Sequence, residues 1–568
     1  MSADQELTSL EIARATPMRP IGDIAAGIGL GPEFLESYGE FVAKIKLEAI
    51  PAVAARPRAR YVVVTADTPT PLGEGKTTTT LGLAQGMAHI GRKATAAIRQ
   101  ASMGPTFGIK GGAAGGGYSQ AVPFEALNLH LTGDMHAVTA AHNLLAAMVD
   151  NHIYQGNELG IDPQTITWRR VLDVNDRSLR NVVSGLGARE DGLPRQTGFD
   201  ITAASEVMAI LALSTSLLDM RSRIGRIIVG FTTGGEPVTA EQLGAAGAMT
   251  VIMREAIKPN LLQTLENTPV LVHAGPFGNI AHGNSSIVAD LIGMHAGEYL
   301  ITEAGFGADM GAERFFNIKC RVSGLVPDAA VIVTTVRALK AHSGNHRIIA
   351  GRPLPPALLE ENPDEVRVGG ANLRKQIENV VVHGVTPVVA INAFPGDFDS
   401  EYSVIRDIAD SMGVRSAVTS HFSRGGAGAA DLAEAVVAAA DQPADFRLLY
   451  PDEASLRTKL ETIATTVYGA DGIDILPPAA AALDLFEANG LGSLPVCIAK
   501  THLSISSDPT LKGAPTGWRL PVREVRASAG AGFIYAICGD MRTMPGLSSH
   551  PAAERIDIDA NGDVVGLS

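Results

Sequence analysis

A glycine-rich turn between an apolar segment and a helical segment constrains the fold of this chain most. Residues 61–64 are Tyr-Val-Val-Val, the turn occupies residues 70–77, and residues 81–87 carry apolar side chains at helical spacing. Strand, glycine-rich turn, Gly-Lys-Thr and helix is the order of a phosphate-binding loop. Glycine lets backbone N–H groups face an anion, and the helix start adds partial positive charge. The turn therefore predicts an α/β core with a mostly parallel sheet, similar to the P-loop NTPases.

Two side chains of the turn have specific expected roles. Lys76 would reach the outer phosphates of ATP, and Thr77 would offer its hydroxyl to a magnesium ion. The position six residues before the lysine is usually glycine and is Thr70 here, so the loop is a variant, stiffened by Pro69 and Pro71. An ordinary strand–turn–helix that contains Gly-Lys-Thr by chance is the alternative. The predicted ATP contacts are Thr70, Pro71, Leu72, Gly73, Glu74, Gly75, Lys76 and Thr77.

Composition and charge argue against several classes of protein. The chain has 568 residues, 46% of them hydrophobic and 19% charged, and its formal net charge is −14. This length predicts about two to four domains or lobes. The negative charge argues against a nucleic-acid scaffold and against electrostatic membrane binding. Cys320, Cys497 and Cys538 are too few and too scattered for a disulfide framework or a zinc site. With no visible signal peptide or membrane-spanning run, the sequence predicts a cytoplasmic protein.

Charged side chains are expected beside the phosphate loop. Arg99 and Glu303 each follow an apolar run that predicts a strand. In a parallel sheet these strand ends share an edge with the loop, so Arg99 could hold an acyl phosphate or a carboxylate, or form a structural ion pair. Glu303 could approach magnesium or serve as a structural carboxylate. His282 and Asn284 lie in a polar loop, where ligand binding and a turn or cap role both stay open.

Residues 108–118 are rich in glycine and resemble a known family. Five of the seven residues 111–117 are glycine, which suits a loop shaped around a ligand better than a helix or strand interior. This run resembles a signature of formate–tetrahydrofolate ligase, and residues 333–344 resemble a second signature of that family. The resemblance extends from the N-terminal arm to the last residues. Further similar segments lie at residues 198–210, 279–286, 302–313 and 528–533.

The resemblance implies a reaction and the residues that serve it. It implies an ATP-dependent ligase that joins formate to tetrahydrofolate through formyl phosphate, giving 10-formyltetrahydrofolate, ADP and phosphate. MgATP and tetrahydrofolate are then substrates, K⁺ or NH₄⁺ is an activating monovalent cation, and the protein is a homotetramer. Lys76 and Arg99 would be catalytic, with Thr77 at the metal. The substrate-binding residues that it implies are Arg99, Lys110, Gly111, Gly112, Phe306, Phe394 and Phe422.

Phe394 and Phe422 would form the aromatic clamp for the pterin ring. Exposed rings at these positions could stack on a flat heterocycle, although ordinary core phenylalanines are the better interpretation without the resemblance. Four positions depart from the family pattern: Gln100 replaces a glutamate, Ala393 an arginine, Phe422 a tryptophan and Ala427 a glutamate. Three of them surround the predicted folate pocket. We therefore expect weaker or altered folate binding, and a weaker cation site near Gln100.

The chain is expected to fold as one ATP-binding core with two smaller lobes. Residues 1–360 form the core with a mostly helical N-terminal arm, residues 361–450 an α/β lobe with the folate platform, and residues 451–568 a C-terminal lobe. Residues 380–382 and 387–391 are predicted strands of the middle lobe. Two other functions stay open. One is a ligase of the same build with a different carboxylate or amine acceptor, and the other is a nucleotide-switched binding protein.

Overall fold

A large mixed sheet forms the centre of the molecule. The computed structural model describes residues 7–71, 73–108, 113–349 and 353–567. Ten strands of the sheet lie, within these ranges, in the order β1-β2-β7-β8-β4-β9-β3-β10-β11-β12, and the hairpin β5–β6 joins at β7. Numbered along the chain, the strands are β1 (Leu35–Ser37), β2 (Ala43–Ile45), β3 (Arg60–Ala66), β4 (Ala94–Ile98), β5 (Gly115–Gly116), β6 (Ser119–Val122), β7 (Asn260–Thr264), β8 (Pro269–Val272), β9 (Tyr299–Glu303), β10 (Ala329–Thr334), β11 (Thr386–Asn392) and β12 (Arg415–Thr419).

The strands from β8 to β12 in this order all run parallel. Their side chains alternate between two cores: Val63 packs in one cluster, and Val62 and Val64 pack in the other. Both faces of the sheet are covered, which explains why its strands are continuous apolar runs. The carboxyl ends of these strands therefore open on one edge, where α/β proteins bind ligands. The predicted α/β fold with a large, mostly parallel sheet is confirmed.

The N-terminal arm differs from its prediction because it also contributes strands. β1 and β2 pair antiparallel, and β2 extends the sheet by pairing with β7. Lys44 of β2 is buried, and its ammonium lies 2.8 Å from Asp134. A buried charge is stable only with such a partner. The arm is thus part of the central sheet as well as a helical segment.

Helices cover both faces of the sheet, and one expected strand is wrong. Residues 380 and 381 end the helix Pro363–Val381 and residue 382 caps it. The sequence forms a helix here because Val366, Leu373, Ile377 and Val380 recur at helical spacing and are buried. Within the described ranges, the α-helices span Ser9–Ala15, Ile21–Gly27, Ala49–Val53, Lys76–His89, Met103–Phe107, Phe124–Asn128, Asp134–Tyr154, Glu206–Leu213, Leu217–Gly225, Ala246–Met253, Ile287–Gly293, Arg321–Ser323, Val336–His342, Pro356–Leu359, Pro363–Val381, Asp399–Ser411, His421–Arg424, Ala430–Ala440, Leu456–Thr466 and Pro477–Ala488. Shorter 3₁₀ or π segments span Pro32–Phe34, Pro163–Thr165, Arg177–Arg180, Arg189–Asp191, Thr202–Ala204, Ala308–Ala312, Phe315–Cys320, Gly425–Ala429 and Ala552–Glu554.

The C-terminal segment packs around a core of its own, drawn from residues 450–538. Its three-stranded sheet has the order Val496–Ala499, Phe533–Ile537, Glu524–Ser528. The buried Lys500 ammonium, 2.7 Å from Asp309, ties this segment to the π segment after β9. The remaining strands pair in twos: Arg170–Leu172 with Phe199–Ile201, Val182–Ser184 with Arg195–Thr197, Ile228–Phe231 with Pro237–Thr239, Ile473–Ile475 with Leu520–Val522, and Asp557–Ile558 with Val564–Val565.

Two further features bear on the sequence predictions. Across the described part of the chain, every helix is too short or too polar to cross a membrane. The three cysteines are free and buried. β11 and β12 extend the large sheet past residue 360, so the division at residues 360 and 450 stays a prediction.

Candidate functional site

The phosphate loop leaves β3 at Ala66 and enters the helix Lys76–His89 at Gly75. Gly75 has a left-handed backbone conformation, with φ of 78°, and a Cβ there would lie 2.7 Å from Asn392 Nδ2. Glycine is therefore required both by the turn and by its neighbour. Lys76 is the first residue of the helix, where backbone N–H groups and the helix dipole favour an anion. The predicted strand, turn and helix are all present.

The side chain of Glu74 is turned into the protein. It is fully buried, its Oε1 accepts a hydrogen bond of 2.6 Å from Thr70 N, and its Oε2 lies 3.7 Å from Lys76 Nζ. Beside it, Asp67 accepts a hydrogen bond of 2.6 Å from Thr334. Burial, together with the charge of Glu74, raises the pKa of Asp67 well above its ordinary value. The Glu74 side chain thus stabilises the loop from inside the protein.

One carboxylate joins the phosphate loop to Arg99. Glu303 ends β9, which lies between β3 and β4 in the sheet. Its Oε2 accepts a hydrogen bond of 2.6 Å from Thr77 Oγ1, and its Oε1 accepts one of 3.2 Å from Arg99 Nε. Among the described residues, no hydrogen-bond partner is found for either Nη nitrogen of Arg99. The ion pair thus orients Arg99 and leaves its outer edge for a ligand.

The loop after β8 adds buried polar atoms near this carboxylate. Asn284 Nδ2 donates 3.4 Å to Glu303 O, and Gly305, which follows β9, packs against both Gly283 O and the Arg99 guanidinium. His282 is fully buried, and neither ring nitrogen has a hydrogen-bond partner within the described ranges. Burial, followed by the charges of Lys319, Arg314 and Arg99, lowers the pKa of His282 well below its ordinary value. A neutral imidazole with two unsatisfied nitrogens favours ligand binding over a cap or turn role.

Phe394 and Phe422 lie on the same edge of the sheet, further from Arg99. They follow β11 and β12, whose last residues Asn392 and Thr419 pair directly. Phe394 is half-buried beneath Arg337, whose guanidinium lies 4.5 Å from the ring centroid. Phe422 is 55% exposed, which distinguishes it from a core phenylalanine. Two rings beyond neighbouring strand ends can serve as a platform for a flat ligand.

Phe306 lies three residues after Glu303 and brings the C-terminal segment to the same edge. It has a φ of 62°, and its ring stacks on His502 at a centroid distance of 4.7 Å. The predicted site residues Leu72, Lys110, Gly111 and Gly112 lie outside the described residues. Further along this glycine-rich run, Gly115–Gly116 form β5, so part of the expected loop is a hairpin with β6.

His421 connects the aromatic platform to the phosphate-loop helix. Its Nε2 lies 3.2 Å from Thr79 Oγ1 of that helix, and its Nδ1 lies 2.7 Å from Thr419 Oγ1. Burial lowers the pKa of His421 to about 4, so the ring is neutral near pH 7. Sequence reasoning missed this residue. One feature of the sequence indicated a close contact here. Gly82 and Gly86 lie on the same helix, and Gly82 has no side chain where a Cβ would lie 2.7 Å from the His421 ring.

Comparison with known proteins decides the family. A family model described as formate–tetrahydrofolate ligase matches residues 7–568. The chain belongs to the formate–tetrahydrofolate ligase family. The formate–tetrahydrofolate ligase of Saccharopolyspora erythraea is 72% identical over 561 residues, which cover 99% of each chain. Formate–tetrahydrofolate ligase 3 of Rubrobacter xylanophilus is 66% identical, and the formate–tetrahydrofolate ligase of Cutibacterium acnes is 64% identical. Each match covers 99% of this chain and 100% of the relative. The resemblance inferred from the motifs is confirmed.

Besides Phe422, three positions depart from the pattern of this ligase family, and their surroundings differ. Gln100 is buried, and its Nε2 has no hydrogen-bond partner in the described part of the chain. Ala393 N donates 3.0 Å to Thr419 O, which fixes the backbone ahead of Phe394. Ala427 lies in the segment Gly425–Ala429, where the backbone N–H of Gly426 donates to Glu266 at 2.8 Å. A carboxylate from another part of the chain is thus present beside the loop that lacks the expected glutamate.

Proposed function

We propose that this protein joins formate to tetrahydrofolate at the expense of ATP, giving 10-formyltetrahydrofolate, ADP and phosphate. Membership of the family over residues 7–568 supports this reaction. The geometric observation that carries the proposal is the single carboxylate of Glu303 in contact with Thr77 and Arg99. It gathers a hydroxyl from the start of the helix Lys76–His89 and a guanidinium from the end of β4, as transfer of a phosphoryl group to a small carboxylate requires.

The reaction has two steps at this edge of the sheet. A formate oxygen attacks the γ-phosphorus of ATP, the bond to the bridging oxygen breaks, and ADP leaves with that electron pair. N10 of tetrahydrofolate then attacks the formyl carbon of formyl phosphate, phosphate leaves and N10 loses its proton. Lys76 and the outer edge of Arg99 stabilise the charge that develops on the transferred phosphoryl group. The buried, neutral His282 in the loop beside Glu303 is proposed to hydrogen-bond the formyl oxygens, and Phe306, Phe394 and Phe422 are proposed to hold the pterin ring.

Two cations belong to the proposal. Thr77 Oγ1 and Glu303 are the oxygen atoms best placed to hold a magnesium ion, which would neutralise phosphate charge. Groups of three or more metal-binding side chains are absent from the described residues, so this ion would be shared with the nucleotide phosphates. A monovalent cation, K⁺ or NH₄⁺, is proposed near Gln100 from the family resemblance.

We also propose the homotetramer that the resemblance implies. Apolar side chains are exposed along residues 172–193, with Leu186 76% exposed and Val183 56%. These side chains lie on the hairpin of Val182–Ser184 and Arg195–Thr197 and on the segment before it, and exposed apolar side chains of this kind are suited to a subunit contact. Leu186→Glu should lower the mass measured by light scattering, whereas Leu359→Glu, at another exposed leucine, should leave it unchanged. An unaltered mass in both variants would remove this surface from the proposal.

The finer fold and location follow as proposals. Strand, loop and helix at the centre of a parallel sheet support a P-loop NTPase-like core, and residues 361–450 and 451–568 are proposed as the smaller lobes. Three free, buried cysteines and the family support a cytoplasmic protein.

Substrate omission tests the reaction. ADP release is measured with ATP, formate and tetrahydrofolate, and then with each omitted in turn. We expect release to require formate and the product 10-formyltetrahydrofolate to require all three. Release that needs neither formate nor folate would instead indicate a nucleotide switch. Release that needs formate but yields no formylated folate would indicate an acceptor other than tetrahydrofolate.

A further inference from the structure

A second cavity lies between the helices Glu206–Leu213 and Pro477–Ala488, apart from the phosphate loop. Its volume is about 240 Å³. No described residue of the predicted ATP, formate or folate sites lines it. The cavity borders the loop that carries His282, because Ile280 and Ala281 form part of its wall.

Most of the wall is apolar and aromatic. Trp168, Phe231, Phe486 and Phe533 contribute rings, and the Phe231 and Phe486 rings stack at a centroid distance of 6.5 Å. Trp168 is itself held by stacking on His142 at 4.1 Å. Flat apolar surfaces of this kind favour a flat ring over a flexible or strongly hydrated ligand.

The cations in the lining already have carboxylate partners. Arg169 Nη1 lies 3.4 Å from Asp200, and Arg526 Nε lies 2.5 Å from Glu524. Within the described part of the chain, the cavity therefore offers no unpaired cation to a phosphate or a carboxylate. A nucleotide or another anionic ligand would lose its hydration without a compensating charge.

Glu206 is the one acidic group of the lining that lacks a basic partner among the described residues. Its Oε1 accepts hydrogen bonds from Gly530 N at 2.8 Å and Ala531 N at 3.2 Å. Its Oε2 makes no hydrogen bond to the described residues, and the side chain lines the cavity. Burial raises the pKa of Glu206 to about 7, as expected for a carboxyl group without a counter-ion. Glu206 Oε2 thus presents to the cavity an acceptor that has neither a hydrogen-bond donor nor a counter-ion among the described residues.

We propose that this cavity binds an uncharged, flat nitrogen heterocycle with an amino or ring N–H donor, about the size of a purine base. The donor would hydrogen-bond Glu206 Oε2, and the ring faces would contact the aromatic wall. Purine bases and pterins share this chemistry, so the experiment includes one of each. This binding site is independent of the ligase reaction proposed above.

Calorimetry on the full-length protein tests the proposal, with adenine and pterin (2-amino-4-oxopteridine) titrated in turn. Each titration is repeated with saturating MgADP and tetrahydrofolate, which occupy the nucleotide and folate sites. We expect one heterocycle per chain to bind when both of these sites are filled. The donor-free ring 1-methylbenzimidazole should bind about tenfold more weakly, because Glu206 then stays unsatisfied.

Two variants locate the site. Ala482→Leu fills the cavity from the helix Pro477–Ala488 and should reduce affinity about tenfold or more, whereas Ala481→Leu places the same volume on the exposed side of that helix and should not.

Glu206→Gln keeps the oxygen that accepts from Gly530 and Ala531 but should weaken heterocycle binding. If Ala482→Leu does not fold, Leu485→Phe serves the same purpose. Absence of binding when MgADP and tetrahydrofolate fill their sites, or affinity unchanged by the filling variant, would overturn the proposal.

Discussion

The phosphate cradle and the aromatic platform share one edge of the sheet but are held differently. In the cradle, Glu303 ends β9, Arg99 directly follows β4 and Lys76 begins the helix after the phosphate loop, and Glu303 holds Thr77 and Arg99 by hydrogen bonds. In the platform, Phe394 lies on the loop after β11 and Phe422 on the short helix His421–Arg424 after β12, and Phe422 is 55% exposed. Side chains fixed by the sheet are preorganised for charge stabilisation, whereas exposed rings contribute mainly affinity. Substitutions should therefore stop the chemistry in the cradle and change folate binding in the platform.

Removal of the cradle lysine should have the largest effect. Lys76→Ala deletes the ammonium that we propose contacts the outer phosphates, and we expect formyl-transfer turnover to fall about a thousandfold or more. Lys93→Ala is the matched control, because Lys93 is exposed at the opposite end of β4 from Arg99. Turnover is measured as 10-formyltetrahydrofolate formed. A Lys76→Ala protein as active as Lys93→Ala would remove the phosphate-loop assignment.

Loss of the bridging charge should have the next largest effect. Glu303→Gln keeps the size of the side chain but no longer pairs with Arg99, so we expect kcat to fall about a hundredfold. The KM for tetrahydrofolate should change little if the platform acts separately. Glu298→Gln is the control, because Glu298 directly precedes the first residue of β9, at the end of the strand opposite Glu303. A large rise in the folate KM for Glu303→Gln would contradict the separation of the two regions.

The cradle was more predictable from sequence than the platform, for physical reasons. Residues that follow parallel strands must share an edge, so the placement of Arg99 near the loop followed from strand prediction alone. The hydrogen bond between Thr77 and Glu303 could not be predicted in this way, because long-range packing sets the order of the strands in the sheet. Residues 380–382 were mistaken for a strand because three valines suit both a strand and the buried stripe of a helix. The role of His421 depends on Gly82 bringing distant segments together, which spacing alone does not reveal.

The contact of His421 with Thr79, which connects the platform to the helix after the phosphate loop, should be sensitive to acid. His421 has a pKa of about 4 in the folded protein, against 6.5 for an unperturbed histidine. Its contribution to stability is therefore complete above pH 6.5 and is lost as the pH falls towards 4, at up to about 1.4 kcal/mol per pH unit. We expect His421→Gln to reduce this slope in reversible urea unfolding between pH 4.5 and 6.5. Replacement of the exposed His550 by Gln should leave it unchanged, and equal slopes in all three proteins would exclude His421 as the acid-sensitive contact.

Enlarging the platform should have the smallest effect and the clearest specificity. Phe422→Trp restores the larger ring of the family pattern, and added stacking on the pterin is worth about 1 kcal/mol, or roughly a fivefold lower Kd for tetrahydrofolate. The Kd for MgATP should not change, because no side chain of the cradle is altered. Phe398→Trp, at another partly exposed phenylalanine near the same edge, should alter neither constant. Calorimetry with each ligand separates these outcomes. If Phe422→Trp tightened ATP and folate equally, the two regions would form one coupled site, and the contact of His421 with Thr79 would be the route of that coupling.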